Sequence, residues 1–481
     1  MNKLYVILAG LLFVVTAVFS TGHHQGDEHF QILEFAGYKL GMVETDDLPW
    51  EFDDRMRPAL QPAIAYVVYR IVGLAGEPNP FTVALLLRLL SGAFTLVVAL
   101  LLYDRYGRRM SLEVRPWFVL LLLFNWCAYY NGVRFSSENW SGLTAVLGFL
   151  AYPLARPTGF HRFTGRGGYS AFVAGICFGL AFLFRYQMGL LIAGFGLWLV
   201  VVERERWQNI AVVILGGLTA LLLTYPLSYW LYGEWTLPAW NYLTANLIEG
   251  KAATYGTRPW YAYPILVFLR GIPPVSLVYL AGAFAFFWYF RRDPVSWMVV
   301  AFMVAHSLLA RKDVRFLFPL IPLLPVLVAG AATEWQRRRG TAVWRKKWVK
   351  GLVAVAWVTN LLLLAIVLTR PAASEIAPAA FVYDSYAEGA TLVGPDREIL
   401  VAEGSTGRYY LRSSHQLALL SSKDHGTCGP APCLFVTNTR EVPSPPGDAV
   451  LVFTDRPRWI DAVNVGGWAD RQKWWYIYEL K

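Results

Sequence analysis

Apolar runs of membrane-crossing length recur from residue 4 to residue 369, separated by short polar connections. They occupy residues 4–20, 81–103, 116–131, 139–155, 169–184, 187–202, 209–231, 263–290, 294–310, 315–332 and 350–369. Roughly 18 consecutive apolar residues mark a helix that crosses a bilayer. The pattern therefore predicts an all-α polytopic membrane protein with about eleven transmembrane helices. Residues 58–76 read differently: Arg57 precedes them, Arg70 interrupts them and Glu77 follows, which predicts a helix lying in the membrane interface. Past residue 369 the pattern changes again. LVGPDREILVAE and DAVLVFTDR alternate apolar and polar stretches, and residues 370–481 are expected to form a small soluble α/β domain. The predicted boundary thus separates a catalytic membrane domain, 1–369, with a first non-cytoplasmic loop at 21–80, from a C-terminal non-cytoplasmic domain, 370–481.

Charge sets the orientation. With Met1 inside, the inside loops collect Arg105, Arg108, Arg109 and Arg115, then Arg156, Arg162 and Arg166, then Arg291 and Arg292, and finally the block from Arg337 to Lys350. This is the positive-inside bias, and it accounts for most of the net charge of +10 without any nucleic-acid partner. At 56% hydrophobic and 16% charged residues, a soluble protein is excluded. The first helix is expected to be retained, because His23, His24 and Gln25 make a poor signal-peptide cleavage site. Cys127 and Cys177 fall inside helices; Cys428 and Cys433, in CGPAPC, can pair if the tail faces an oxidising space.

The first outside loop is out of character for so basic a chain. Thr21 to Arg57 carries nine carboxylates, among them Asp27 and Glu28 a few residues past the first helix. A carboxylate there can take a proton from a hydroxyl presented at the headgroup level. Glu34 and Glu44 read instead as partners of a helix dipole. Cations recur on the same side: Arg57, Arg88, Arg134, Arg185, Arg258, Lys312 and Arg315. Arg88 lies within an apolar helix, where a charge is costly and marks function. Arginine holds phosphate bidentately. Arg185 and Lys312 read equally well as side chains snorkelling to headgroups. Residues 232–261 are rich in rings that can stack on sugars or serve as an interfacial belt. GGLTA reads as helix packing, and no His/Cys spacing suggests a metal.

Four blocks together resemble a known family. GDEHFQILEFAGY with LPWEFDDRMRPALQP, then VRFSSENWS, then WLYGEWTLPAWNYLTANLIEGKAATYGTRPWYAY, then RKDVRFLFPLIPL follow in order the motifs of the GPI and N-glycan mannosyltransferases of the GT-C superfamily. The resemblance implies an inverting transfer of a sugar, mannose in that family, from a polyprenyl- or dolichyl-phosphate carrier to a glycan or glycolipid hydroxyl, with no cofactor or metal. It implies Asp27, or else Glu28, as base. Arg315, Lys312, Arg88, Arg57 and Arg134 are implied at the donor phosphate, and Glu138, Tyr255, Arg258, Trp260 and Gln187 at the sugar or acceptor. The chain departs from the family where Gln25 and Gly26 replace His and Pro, where Arg311 and Asp313 replace His and Glu, at Ser228 in place of Asp, and at Arg258 in place of His. These changes put the acceptor in doubt. A bacterial inner membrane with a periplasmic site is expected, the endoplasmic reticulum being the alternative. A lipid-linked glycan flippase would use the same cations without a base, and a glycan ligase would share the chemistry with a larger donor.

Overall fold

The computed structural model describes residues 1–153, 167–394, 407–419, 431–439 and 448–480. Contacts divide the chain into two compact units, one of residues 1–19, 55–61 and 87–370, the other of residues 20–54, 62–86 and 371–481. One change of unit falls between Arg370 and Pro371. The units also put residues 20–54 and 62–86 with the tail, a grouping that the hydropathy pattern does not carry.

The first unit is helical, and the protein is an integral membrane protein. Among the described residues four helices are long and apolar enough to cross a bilayer: Pro80–Arg109, Trp207–Tyr232, Val314–Arg339 and Lys347–Thr369. Shorter apolar helices include Lys3–Phe19, Gly168–Phe184, Met188–Glu203, Val275–Tyr289 and Pro294–Leu308. Three of the expected spans are interrupted, each for a visible reason. Run 116–131 breaks at Asn125 into Arg115–Phe124 and Trp126–Gly132. Side chains satisfy the broken backbone: Asn125 Oδ1 accepts from Cys127 N at 3.1 Å, Asn360 Oδ1 accepts from Trp126 N at 3.0 Å, and Asn360 Nδ2 donates to Phe124 O at 2.8 Å. Run 263–290 is two helices, Ala262–Arg270 and Val275–Tyr289, parted by Pro273 and Pro274, which have no N–H to continue a helix. Run 315–332 begins as a 3-10 segment, Val314–Leu323, containing Pro319 and Pro322.

GGLTA is indeed a packing seam. A Cβ on Gly216 would lie 2.2 Å from Phe172 O, and one on Gly175 would lie 2.1 Å from Val213 O. Small residues at this crossing let the Gly167–Phe184 and Trp207–Tyr232 backbones touch.

The second unit contains a five-stranded mixed sheet: β1 Thr391–Gly394, β2 Gln416–Leu419, β3 Cys433–Thr439, β4 Val450–Thr454 and β5 Trp474–Leu480, in the order β2-β1-β3-β5-β4. β1 pairs in parallel with β2 and β3, and β5 pairs antiparallel with β3 and β4. Its core joins Leu392, Leu434, Val436, Trp475 and Ile477 to Val382 of the Ile376–Ser385 helix, so the tail is α/β as expected. Cys433 is disulfide-bonded, whereas Cys127 and Cys177 are free; Cys428 lies outside the described residues.

Candidate active site

Within the helical unit, residues from four separate motif blocks converge. The Ser137–Ala151 helix is capped by Ser136, whose side chain accepts from Asn139 N at 3.2 Å. This fixes the first turn and places Glu138 in it. Glu138 Oε1 accepts from Arg185 Nη1 at 2.8 Å, and the same nitrogen donates to Ser137 Oγ at 3.0 Å. Both charged side chains are buried. Arg185 therefore does not snorkel, and a charge pair this dry must stay together, since removing one partner strands the other. Arg134 is buried next to that cap, its carbonyl accepting from Asn139 Nδ2 at 3.0 Å.

The 3-10 segment brings in the RKDVRF block. Asp313 caps it, accepting from Arg315 N at 3.1 Å, and its carboxylate stands 3.8 Å from Arg315 Nε. The guanidinium groups of Arg185 and Arg315 both lie over the Phe316 ring, at 5.5 and 5.6 Å. The segment is held against the Glu138 helix by Gly142, where a Cβ would meet Pro319 O at 2.4 Å.

Backbone bonds tie this block to YGTRPW. Arg258 N donates to Ala310 O at 3.0 Å, Arg311 Nη1 donates to Tyr255 O at 2.7 Å, and Lys312 Nζ donates to Arg258 O at 2.9 Å and to Leu309 O. Lys312 is 5% exposed, and burial lowers its pKa. Its ammonium is thus a clasp for the loop rather than a headgroup contact. Tyr255, Arg258 and Trp260 are exposed on that loop.

A further group gathers around Tyr242, which the sequence reading missed. Gln187 Nε2 donates to Tyr242 OH, and Arg57 lies over the Tyr242 ring at 5.7 Å. Tyr232 OH donates to Arg57 O at 2.8 Å. Arg88 is buried, its Nε donating to Ala17 O in the last turn of the first helix at 2.7 Å. Tyr263 and His306 were also missed. Both are fully buried, and among the described residues Tyr263 OH and His306 Nε2 have no hydrogen-bond partner. Nothing in their local sequence separates them from interfacial aromatics.

Asp27 and Glu28 belong to the second unit. They occupy the first turn of a short helix, Gly26–Phe30, and are half-buried. The helix is anchored from below by His29, whose Nε2 is 2.6 Å from Glu34 Oε1. Glu34 also accepts from Tyr409 N at 3.1 Å, and both members of the pair are 2% exposed. The His29 ring stacks between His23 and Tyr410, at 5.4 and 5.3 Å. His23 in turn lies 3.3 Å from Glu375 Oε1. Glu34 does sit in the first turn of the Leu33–Leu40 helix, where a dipole partner belongs. Its burial and its partners show that it also fastens the loop to the tail.

The second unit thus holds a half-buried carboxylate pair on a supported turn, and the helical unit holds, by itself, buried Arg134, Arg185 and Lys312 among amides and rings. The fold is shared with a solved structure. ArnT from Cupriavidus metallidurans bound to undecaprenyl phosphate superposes with a TM-score of 0.56 at 14% identity, covering 99% of this chain and 97% of that one. In sequence, the GPI mannosyltransferase 3 of Yarrowia lipolytica is 28% identical over 71% of this chain and 64% of its own length. The GPI alpha-1,2-mannosyltransferase 3 of Bos taurus is 24% identical over 70% of this chain and 58% of its own. The chain thus spans less than two thirds of the length of these relatives. The Alg9-like mannosyltransferase family model matches residues 5–385, which takes in every motif block described above, and the chain belongs to that family.

Proposed function

We propose that the protein is an inverting membrane glycosyltransferase that moves mannose from a polyprenyl-phosphate carrier to a hydroxyl of a glycan or glycolipid acceptor. The observation that carries this reading is the buried Glu138–Arg185 pair with Arg315 over the shared Phe316 ring, an anchored polar cluster in a membrane unit. Intramembrane charge of this kind is expensive and is kept for function.

Asp27 takes the proton of the acceptor hydroxyl, with Glu28 beside it in the same turn. The hydroxyl oxygen attacks the anomeric carbon from the face opposite the phosphate. A new glycosidic C–O bond forms as the C–O bond to phosphate breaks. The polyprenyl phosphate leaves with the bonding electrons, and its charge is balanced by preorganised cations, Arg315, Arg134, Arg57 and the remaining N–H of Lys312. No metal takes part. Glu138, Gln187, Tyr255, Arg258 and Trp260 supply sugar and acceptor contacts. The site faces away from the basic loops, on the periplasmic side of a bacterial inner membrane, and the helical unit crosses the bilayer about eleven times.

The test is transfer from polyprenyl-phosphate mannose by the purified Asp27→Asn variant, with the product identified by mass. Loss of transfer by about 100-fold or more is expected for removal of a general base, in a protein that still inserts and melts like the parent. Near-normal transfer would exclude Asp27 as base.

A further inference from the structure

The helical unit contains a large apolar cleft that takes no part in the proposed transfer. It lies among Arg115–Phe124, Val275–Tyr289, Leu324–Arg339 and Lys347–Thr369, with a volume of about 430 Å³. That is the size of a small-molecule site. Trp117, Trp335, Trp344, Trp348, Trp357 and Tyr289 line it. Its two ends differ in chemistry. At the end remote from the basic loop, Tyr279 OH donates to Asn125 Oδ1 at 2.6 Å, and Asn360 is spent on the broken helix beside it. Those polar groups are already satisfied, so what fills that end is apolar.

The other end opens beside residues 334–350, where Arg337, Arg338, Arg339, Arg345, Lys346, Lys347 and Lys350 face one acid, Glu334. Arg338 stands over the Tyr289 ring at 4.5 Å, which puts a guanidinium on the rim. Glu334 is taken by Arg338 at 2.9 Å and Arg337 at 3.7 Å, and the nearby Glu113 accepts from Gln336 Nε2 at 2.6 Å. Among the described residues, Arg339, Arg345, Lys346, Lys347 and Lys350 have no carboxylate partner.

We propose that this cleft is a binding site for an anionic glycerophospholipid of the leaflet at the basic end. Its acyl chains lie along the tryptophans, and its phosphate sits among the unpaired cations. Apolar depth with a cationic mouth matches a lipid with one charged end, and basic pockets between membrane helices bind anionic head groups. The site is separate from the donor cations. Arg315 and Arg338 lie near opposite ends of the 26-residue Val314–Arg339 segment, about 40 Å apart at helical rise. A carrier phosphate held near Arg315 does not reach this mouth.

The experiment is native mass spectrometry of the full chain in detergent, titrated with phosphatidylglycerol, phosphatidylcholine or undecaprenyl phosphate. One phosphatidylglycerol should be retained at least about tenfold more readily than phosphatidylcholine. Ala332→Trp, which fills the cleft, should abolish that retention. The surface variant Arg339→Gln/Arg345→Gln/Lys346→Gln, at exposed side chains that leave the cleft lining untouched, should erase the preference between the two phospholipids. Equal retention of both phospholipids by the parent, retention unchanged in Ala332→Trp, or preferential retention of undecaprenyl phosphate would each overturn the proposal. Transfer activity is read separately, so failure here leaves the reading of Asp27 standing.

Discussion

At the scale of single residues, burial decides what a charge is for. Asp27, Glu28 and Glu34 are three acids of one loop, the first two expected to handle a proton and the third to partner a helix dipole. The structure leaves the first two half-buried on a turn and sinks Glu34 against His29 and Tyr409 N. Glu34→Ala would strand a buried imidazole and a buried amide, and should cost about 3–5 kcal/mol. Glu34→Gln keeps an acceptor and should cost about 1–2 kcal/mol. Thermal unfolding of the two variants in detergent checks the order; equal losses would mean that the acceptor counts for nothing. Gly407 belongs to the same anchor. At φ +62 it passes so close that a Cβ would stand 2.2 Å from Glu34 Oε1, so only glycine both fits the space and adopts the angle.

Among elements, small residues and prolines set the geometry that polar residues then use. The Gly175/Gly216 contact fixes how two long helices cross, with backbone atoms as the interface. Gly216→Leu has no room and should destabilise the helical unit by about 1–3 kcal/mol or more through forced separation. The measurement is the melting temperature of the variant, and Leu218→Ala, on the exposed face of the same helix, serves as the control that should move little. The 3-10 segment shows the same logic at the site. Pro319 and Pro322 prevent an ordinary helical start, and the tighter winding follows Asp313 and Arg315. RKDVRF was recognisable as a motif, but its winding depended on the prolines downstream.

At the scale of the whole molecule, the tail is part of the support for the acidic loop. Ala372 N and Ala373 N donate to Thr21 O at 2.8 and 3.2 Å, and Arg408 Nε meets Asp47 Oδ2 at 3.1 Å. Glu375 closes the stack through His23, and burial, the largest cause, raises its pKa above the ordinary 4.5. A carboxyl whose pKa is raised on folding lends stability below its unfolded pKa and loses it as pH rises through the folded value. The stability of the second unit should therefore fall as pH climbs above about 4.5, and Glu375→Gln should flatten that component. Unfolding curves across the range check it; an identical slope in both proteins would remove Glu375 from the account.

The sequence by itself determined the membrane class, the family and the α/β tail. Hydropathy, loop charge and motif order are one-dimensional signals, set by what each segment can bury locally. It also supplied GGLTA as packing and the motif blocks to which Glu138 and Arg315 belong. Tertiary structure alone decided that Arg185 pairs with Glu138 instead of reaching for headgroups, that Lys312 clasps two carbonyls, and that Tyr242 joins Arg57 to Gln187. It likewise decided that the first loop belongs with the tail. Each of these depends on desolvation at a contact between distant segments, and the cost of burying a charge or an amide is fixed by the partner that the fold brings to it.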